Sequence, residues 1–195
     1  MRNIAIFASG TGTNAENIIK YFSNKKNAKV TLVLSNKREA LVLKRAEALK
    51  VNHVFFERSD FYASSNVLDY LLINKIDFIV LAGFLWLVPE NILAGYGRRI
   101  VNIHPALLPS YGGKGMYGIR VHQAVIDNHD RQSGITIHFV NQSYDEGDII
   151  FQARCAVEPS DTADSLASKI HSLEYEHYPK VIEELISKLP DMLRK

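Results

Sequence analysis

The chain has 195 residues, of which 47% are hydrophobic and 23% charged, a balance that suits one globular domain spanning residues 1–195 with a sizeable core. A formal net charge of +2 with scattered basic residues argues against a surface that coats nucleic acid. One cysteine, Cys155, rules out an internal disulfide and a cysteine-rich zinc site, no apolar run approaches the roughly 18 residues of a membrane span, and the N-terminus lacks a signal-peptide pattern, so a reduced, cytoplasmic setting is expected.

Taken in chain order, short apolar β-branched runs alternate with segments of helical period. Strands are expected at 4–9, 30–35, 53–56, 78–82, 100–103, 135–140 and 149–157, and helices at 14–23, 39–49, 61–74, 89–96, 119–128 and 162–189. Alternation through the first two-thirds predicts right-handed βαβ units on a mostly parallel sheet. FIVLA (78–82) is apolar at every position, as a central strand covered by helices on both faces requires. The last third differs: GITIHFV and IIFQARCAV are joined by NQSYDEGD with no helix between them, which predicts an antiparallel strand. The fold class is therefore an α/β single-domain, Rossmann-like open sheet with helices on both faces. Loop 110–118, SYGGKGMYG, is the richest in glycine and is expected to be mobile.

Three constellations carry chemistry. SGTGTN (9–14) falls between the first strand and first helix, where glycines allow a tight turn and the helix N-terminus offers N–H groups to an anion. The third glycine of a dinucleotide fingerprint is absent and strand two ends in SNKREA without an acidic residue, so a small phosphate site fits better than a dinucleotide site or a bare turn. Next, VNIHPALLP puts Asn102 and His104 two residues apart, on one face of a strand end, with Pro105 stopping further pairing. An amide can donate to a developing oxyanion and an imidazole can move a proton near neutral pH. The third is YDEGD (144–148), which matters only if it reaches His104, where a carboxylate would orient the imidazole and raise its pKa. The seven histidines show no HxxxH or HExxH spacing, and His122, His129 and His138 fall on different elements, so no metal is expected.

FASGTGTN, SNK, LAGF, NIHPALLPSYGGKG, GITIHFV and YDEGDIIFQ, in this order, resemble the phosphoribosylglycinamide formyltransferase family over nearly the whole chain. The resemblance implies transfer of a formyl group from the co-substrate 10-formyltetrahydrofolate to the amine of glycinamide ribonucleotide. It implies a catalytic trio at Asn102, His104 and Asp145, with protonated His104 and Asn102 steadying the oxyanion. It places the phosphoribosyl part at Gly12, Thr13 and Asn14, and further nucleotide contacts at His171 and Glu174. It places the folate at Leu85, Trp86, Leu87 and Val88, at Asn102, and at Asn141, Gln142, Ser143, Tyr144 and Asp145. The implied partners are small-molecule substrates, with neither nucleic acid nor membrane, and a monomer or homodimer as the assembly. Asp148 replaces the proline of the family's D-x-G-P pattern, and register before the glycine selects Asp145 to face His104. Arg58 is the candidate for the folate's glutamyl tail. Competing readings are a methionyl-tRNA formyltransferase, a formyltetrahydrofolate hydrolase, and a nonenzymatic nucleotide-binding module. The first two are expected to carry an additional domain, and the third leaves the Asn102, His104 and Asp145 coincidence unexplained.

Overall fold

The computed structural model describes residues 1–190. Its elements, in chain order, are β1 (Arg2–Phe7), α1 (Thr13–Phe22), β2 (Ala28–Ser35), α2 (Leu41–Ala48), β3 (Asn52–Phe55), α3 (Arg58–Tyr62), α4 (Asn66–Ile73), β4 (Phe78–Leu81), α5 (Glu90–Tyr96), a 3₁₀ turn (Gly97–Arg99), β5 (Ile100–His104), α6 (Ile119–Asp127), β6 (Gln132–Phe139), β7 (Ile149–Ala156) and α7 (Ala163–Ser187). The strands form one sheet in the order β3-β2-β1-β4-β5-β6-β7. All pairs from β3 to β5 are parallel, while β6 is antiparallel to both β5 and β7. A single strand, β6, therefore runs against the rest, as the missing helix before β7 predicts.

Alternation along each central strand builds two cores. Ile4, Ile6, Phe78 and Val80 face one side and pack with Ile18, Phe22, Val42, Val125 and Ile170 from α1, α2, α6 and α7. Ala5, Phe7, Ile79 and Leu81 face the other and meet Phe61, Leu71 and Ile92 from α3, α4 and α5. Full burial on both faces is why these strands read as continuous apolar runs.

The helix expected at 61–74 is two helices, and the break is chemical. Ser64 Oγ donates to the Asp60 carbonyl and accepts from the Asn66 backbone N–H, and Ser65 Oγ donates to Asp69. The Ser64 side chain thus takes backbone partners that a continuous helix would need. The preceding α3 starts at Arg58, three residues before the expected span, held by a Glu57–Asp60 capping box. Helix α7 survives Pro179 in its interior. Proline lacks the N–H that would bond the Tyr175 carbonyl, and Asn17 Nδ2 of α1 donates to that carbonyl at 2.9 Å instead. The repair docks α1 on α7 and sets the depth of Glu174, one turn before Tyr178. The buried Tyr178 hydroxyl meets the carbonyls of Leu81 and Val101 at 2.9 and 3.2 Å, so α7 is tied to β4 and β5.

Strand order reverses between β1 and β4, and the chain leaves the C-terminal ends of both strands in opposite directions. A crevice at that point is where open α/β sheets hold ligands.

Candidate active site

A cleft of about 610 Å³ opens there, walled by the turn after β1, the turn after β4, the end of β5, loop 113–118 and one side of α7. The first turn is shaped by the chain around it. Gly12 caps α1 with φ 75°, the left-handed region that glycine enters without strain. Arg45 of α2 holds the turn from below, Nε donating to the Thr11 carbonyl at 2.9 Å while its guanidinium pairs with Glu16. Ser9 Oγ donates to Asn36 Oδ1 at 2.7 Å and accepts from Leu85 N at 3.1 Å, joining the turns after β1, β2 and β4.

At the end of β5, Asn102 and His104 share a face as their spacing predicts, and the antiparallel pairing with β6 sets His138 opposite Asn102 and Thr136 opposite His104. The segment after His104 is held by side chains. Thr136 Oγ1 donates to the Ala106 carbonyl at 2.7 Å and accepts from Leu108 N at 2.9 Å, and Gln152 donates to the Leu108 carbonyl at 3.1 Å. Prolines end the ladder at this point, and polar side chains of β6 and β7 take over its backbone groups.

Asp145 sits at the centre, in the left-handed region at φ 58°. Its Oδ2 accepts from Gly113 N at 2.9 Å and lies 3.4 Å from His104 Nδ1. Its Oδ1 lies 3.5 Å from Asn102 Nδ2 and 3.6 Å from His138 Nε2. Burial opposes ionisation of this carboxyl, but His138, His104 and the Gly113 N–H together outweigh burial and hold it below the usual carboxylate range. Asp148, the other aspartate of the loop, has a side chain 71% exposed and pairs with Arg98. The register through DEGD therefore brings Asp145, not Asp148, against His104.

His104 corrects one expectation. Its Nε2 donates to the Tyr111 carbonyl at 2.8 Å, so both ring nitrogens face acceptors, an arrangement suited to an imidazolium. Burial nevertheless dominates and pulls its pKa below the ordinary value, with the Asp145 charge and the Tyr111 carbonyl opposing and His138 adding to the decrease. The carboxylate orients this ring without giving it a raised pKa.

The other end of the cleft is polar. Glu174 is 5% exposed, and burial pushes its carboxyl up to about 7 although Asn14 Nδ2 donates to it at 2.8 Å. Asn14 Oδ1 is buried with no hydrogen-bond partner among the described residues. Gly12, Thr13, His171 and Glu174 share this wall, so the residues expected to hold a nucleotide are gathered in one place from both ends of the chain.

The opposite wall is aromatic. Phe7, Phe56, Phe61, Phe84 and Trp86 form a cluster of edge-to-face and tilted rings with centroids 5.1–6.3 Å apart, and Phe84, Leu85, Trp86 and Tyr144 reach the cleft. Arg58 lies over the rings of Tyr62 and Trp86, at 4.8 and 5.6 Å, at the rim of this wall. Leu87, Val88, Asn141, Gln142 and Ser143 do not line the cleft: Val88 is buried in the core, the Leu87 carbonyl accepts from Tyr62, and the other three are exposed on the loop. A family resemblance marks a chain segment, and only packing decides which of its residues turn inward.

Residues outside the expected set also meet here. His138 donates from Nδ1 to the Phe139 carbonyl at 2.8 Å, leaving Nε2 to accept from Asn102 Nδ2 at 3.1 Å, so it aims the amide. Its only sequence signal is its place in GITIHFV, and that becomes legible once the register against β5 is known. Tyr111 and Gly113 anchor the first part of loop 110–118 through backbone groups, and the Tyr111 hydroxyl donates to Asp130 at 2.6 Å. His122 of α6 also reaches the cleft wall.

The family model described as formyl transferase matches residues 2–182. The chain is 38% identical over 187 residues to the chloroplastic phosphoribosylglycinamide formyltransferase of Arabidopsis thaliana, covering 93% of this chain and 64% of that one. A chloroplastic relative from Vigna unguiculata is 37% identical and 61% covered, so the chain spans less than two-thirds of these two plant proteins. It is 32% identical to the phosphoribosylglycinamide formyltransferase of Bacillus subtilis over 191 residues, with 95% of both chains covered. Among solved structures, the enzyme of the same name from Streptococcus pneumoniae superposes with a TM-score of 0.83 at 36% identity, covering 95% of this chain and 99% of that one. With the match running through nearly all of its length, from the first strand into the last helix, the chain belongs to the formyl transferase family.

Proposed function

We propose that the chain transfers the formyl group of 10-formyltetrahydrofolate to the amine of glycinamide ribonucleotide, yielding the N-formyl product and tetrahydrofolate, as a step of purine synthesis in the cytoplasm. One observation carries the reading. The Asn102, His104 and Asp145 cluster lies between an aromatic wall and a polar, partly unsatisfied end beside a helix N-terminus. The wall of Phe84 and Trp86 suits a flat heteroaromatic ring, and the Gly10–Gly12 turn with Asn14 and Glu174 suits a phosphoribosyl group. When bound, the folate supplies an electrophilic formyl carbon and a nitrogen that takes a proton after transfer.

The chain's own residues do the rest. Asn102 releases its long 3.5 Å contact with Asp145 and turns that N–H toward the negative charge growing on the formyl oxygen, while His138 keeps the other N–H aligned. That same charge favours the His104 imidazolium, for which Asp145 and the Tyr111 carbonyl already provide two acceptors. A new C–N bond forms to the amine as the C–N bond to the folate breaks. The amine's proton leaves through the polar cluster toward the folate nitrogen, so charge and protons balance.

The test is spectrophotometric formyl transfer with glycinamide ribonucleotide, run beside a control without acceptor. Acceptor-dependent turnover is expected. Loss of formyl at the same rate without acceptor would identify a hydrolase instead.

A further inference from the structure

His122 is a residue whose position is costly for the fold. It lies in the first half of α6, on the face that also carries buried Val121 and Val125, and is 2% exposed. Its Nδ1 is fully buried with no hydrogen-bond partner among the described residues. A leucine would pack on such a face without leaving a polar atom unsatisfied, and an unpaired buried nitrogen costs more than the hydrogen bond it lacks would contribute. The ring nevertheless reaches the wall of the cleft that also holds His104 at the reaction centre and His171 and Glu174 at the nucleotide end, close enough to His104 and His171 to interact electrostatically with both.

We propose that His122 is a substrate-contacting residue that hydrogen-bonds the carboxamide linking the reactive amine to the ribose of glycinamide ribonucleotide. The inference rests on the reading of the cleft given above and adds to it a contact with the middle of the substrate. Position selects the ligand group, because the carboxamide is what lies between the amine, placed at Asn102 and His104, and the phosphoribosyl part, placed at Asn14 and Glu174. Chemistry agrees. Burial, with His171 and His104 nearby, lowers the His122 pKa to about 4, so at neutral pH the ring presents one N–H and one lone pair and no charge. A neutral imidazole, with one donor and one acceptor, matches an amide, which also offers one of each. The folate side is served by the aromatic residues around Trp86.

Three variants separate contact from packing: His122→Leu fills the site without nitrogens, while His122→Gln and His122→Asn return an amide nitrogen. Trp86 is the only tryptophan and lies on the cleft wall, so its fluorescence reads folate binding without turnover. Calorimetry with glycinamide ribonucleotide reads the other ligand. For His122→Leu, affinity for glycinamide ribonucleotide should fall about tenfold with folate binding kept and Tm unchanged or raised. His122→Gln or His122→Asn should recover part of that affinity. Wild-type-like nucleotide affinity in His122→Leu would overturn the inference alone, as would equal losses for both ligands together with a lowered Tm in all three variants. A wild-type chain that binds no glycinamide ribonucleotide would overturn the parent reading and this inference with it.

Discussion

Glu174→Gln should make the protein more stable and its nucleotide site worse. The carboxyl is 5% exposed, and its pKa is raised by burial from an ordinary 4.5 to about 7. A carboxyl with a raised folded pKa stabilises the fold fully below its unfolded value, and that contribution is lost as pH rises from about 4.5 through about 7. At about 1.4 kcal/mol per tenfold change in proton affinity, the gap corresponds to about 3 kcal/mol lost by pH 8. Glutamine is nearly isosteric, can still accept from Asn14 Nδ2, and has no charge to desolvate at any pH. Wild type and Glu174→Gln should therefore melt alike near pH 5 and diverge on going to pH 8, the variant gaining roughly 6–12 °C at about 2–4 °C per kcal/mol. The measurement is Tm against pH for both proteins, because their difference isolates this group from every other titration. Calorimetry adds the functional half: affinity for glycinamide ribonucleotide should weaken below pH 7 in wild type, as the carboxylate protonates, and lose that pH dependence in the variant. Parallel Tm profiles from pH 5 to pH 8 would refute the burial of a carboxyl that titrates near neutrality.

Asp145→Asn should reduce kcat/KM by roughly 10²–10³, since a charge 3.4 Å from His104 in a largely buried site has a Coulomb energy of about 5 kcal/mol at an effective dielectric of about 20, of which only part reaches the transition state. NMR titration should show the His104 pKa falling further in that variant, while Asp148→Asn, an exposed pairing with Arg98, should alter kcat/KM only a few-fold; the reverse ranking would reassign the carboxylate. Asn102→Ala should lose about 10²-fold in kcat with a smaller change in KM, measured by steady-state kinetics, and near-normal turnover would remove the amide from the chemistry. Gly10→Ala meets no atom within 4 Å and should leave Tm unchanged while weakening nucleotide binding, whereas Gly12→Ala drives a Cβ to 2.5 Å from Val42 at φ 75° and should lower Tm, as a thermal melt of each would show.

Much of this protein is written locally. Alternating apolar runs, the glycines between β1 and α1, and the two-residue spacing of Asn102 and His104 are properties of neighbouring residues, because pleat, helical period and turn geometry depend on interactions a few positions apart. That is why the strand and helix alternation and the antiparallel β6 are legible in the sequence, whereas the choice of Asp145 over Asp148 rests on the family resemblance. Even the local reading failed where a competitor was equally local, at the serines that split α3 from α4.

Tertiary structure decided what depends on distant parts of the chain. The Asn14–Glu174 bond joins residues 160 positions apart, and the facing of His138 and Asn102 is a register that no pattern on either strand specifies alone. The sign of the His104 shift belongs to the same class. Sequence supplies a carboxylate that would raise its pKa, but desolvation is summed over every element packed around the ring, and here that sum is larger. His122 shows the limit most clearly, since a histidine on the apolar face of a helix reads as core until the cleft beside it and its unpartnered nitrogen are seen together.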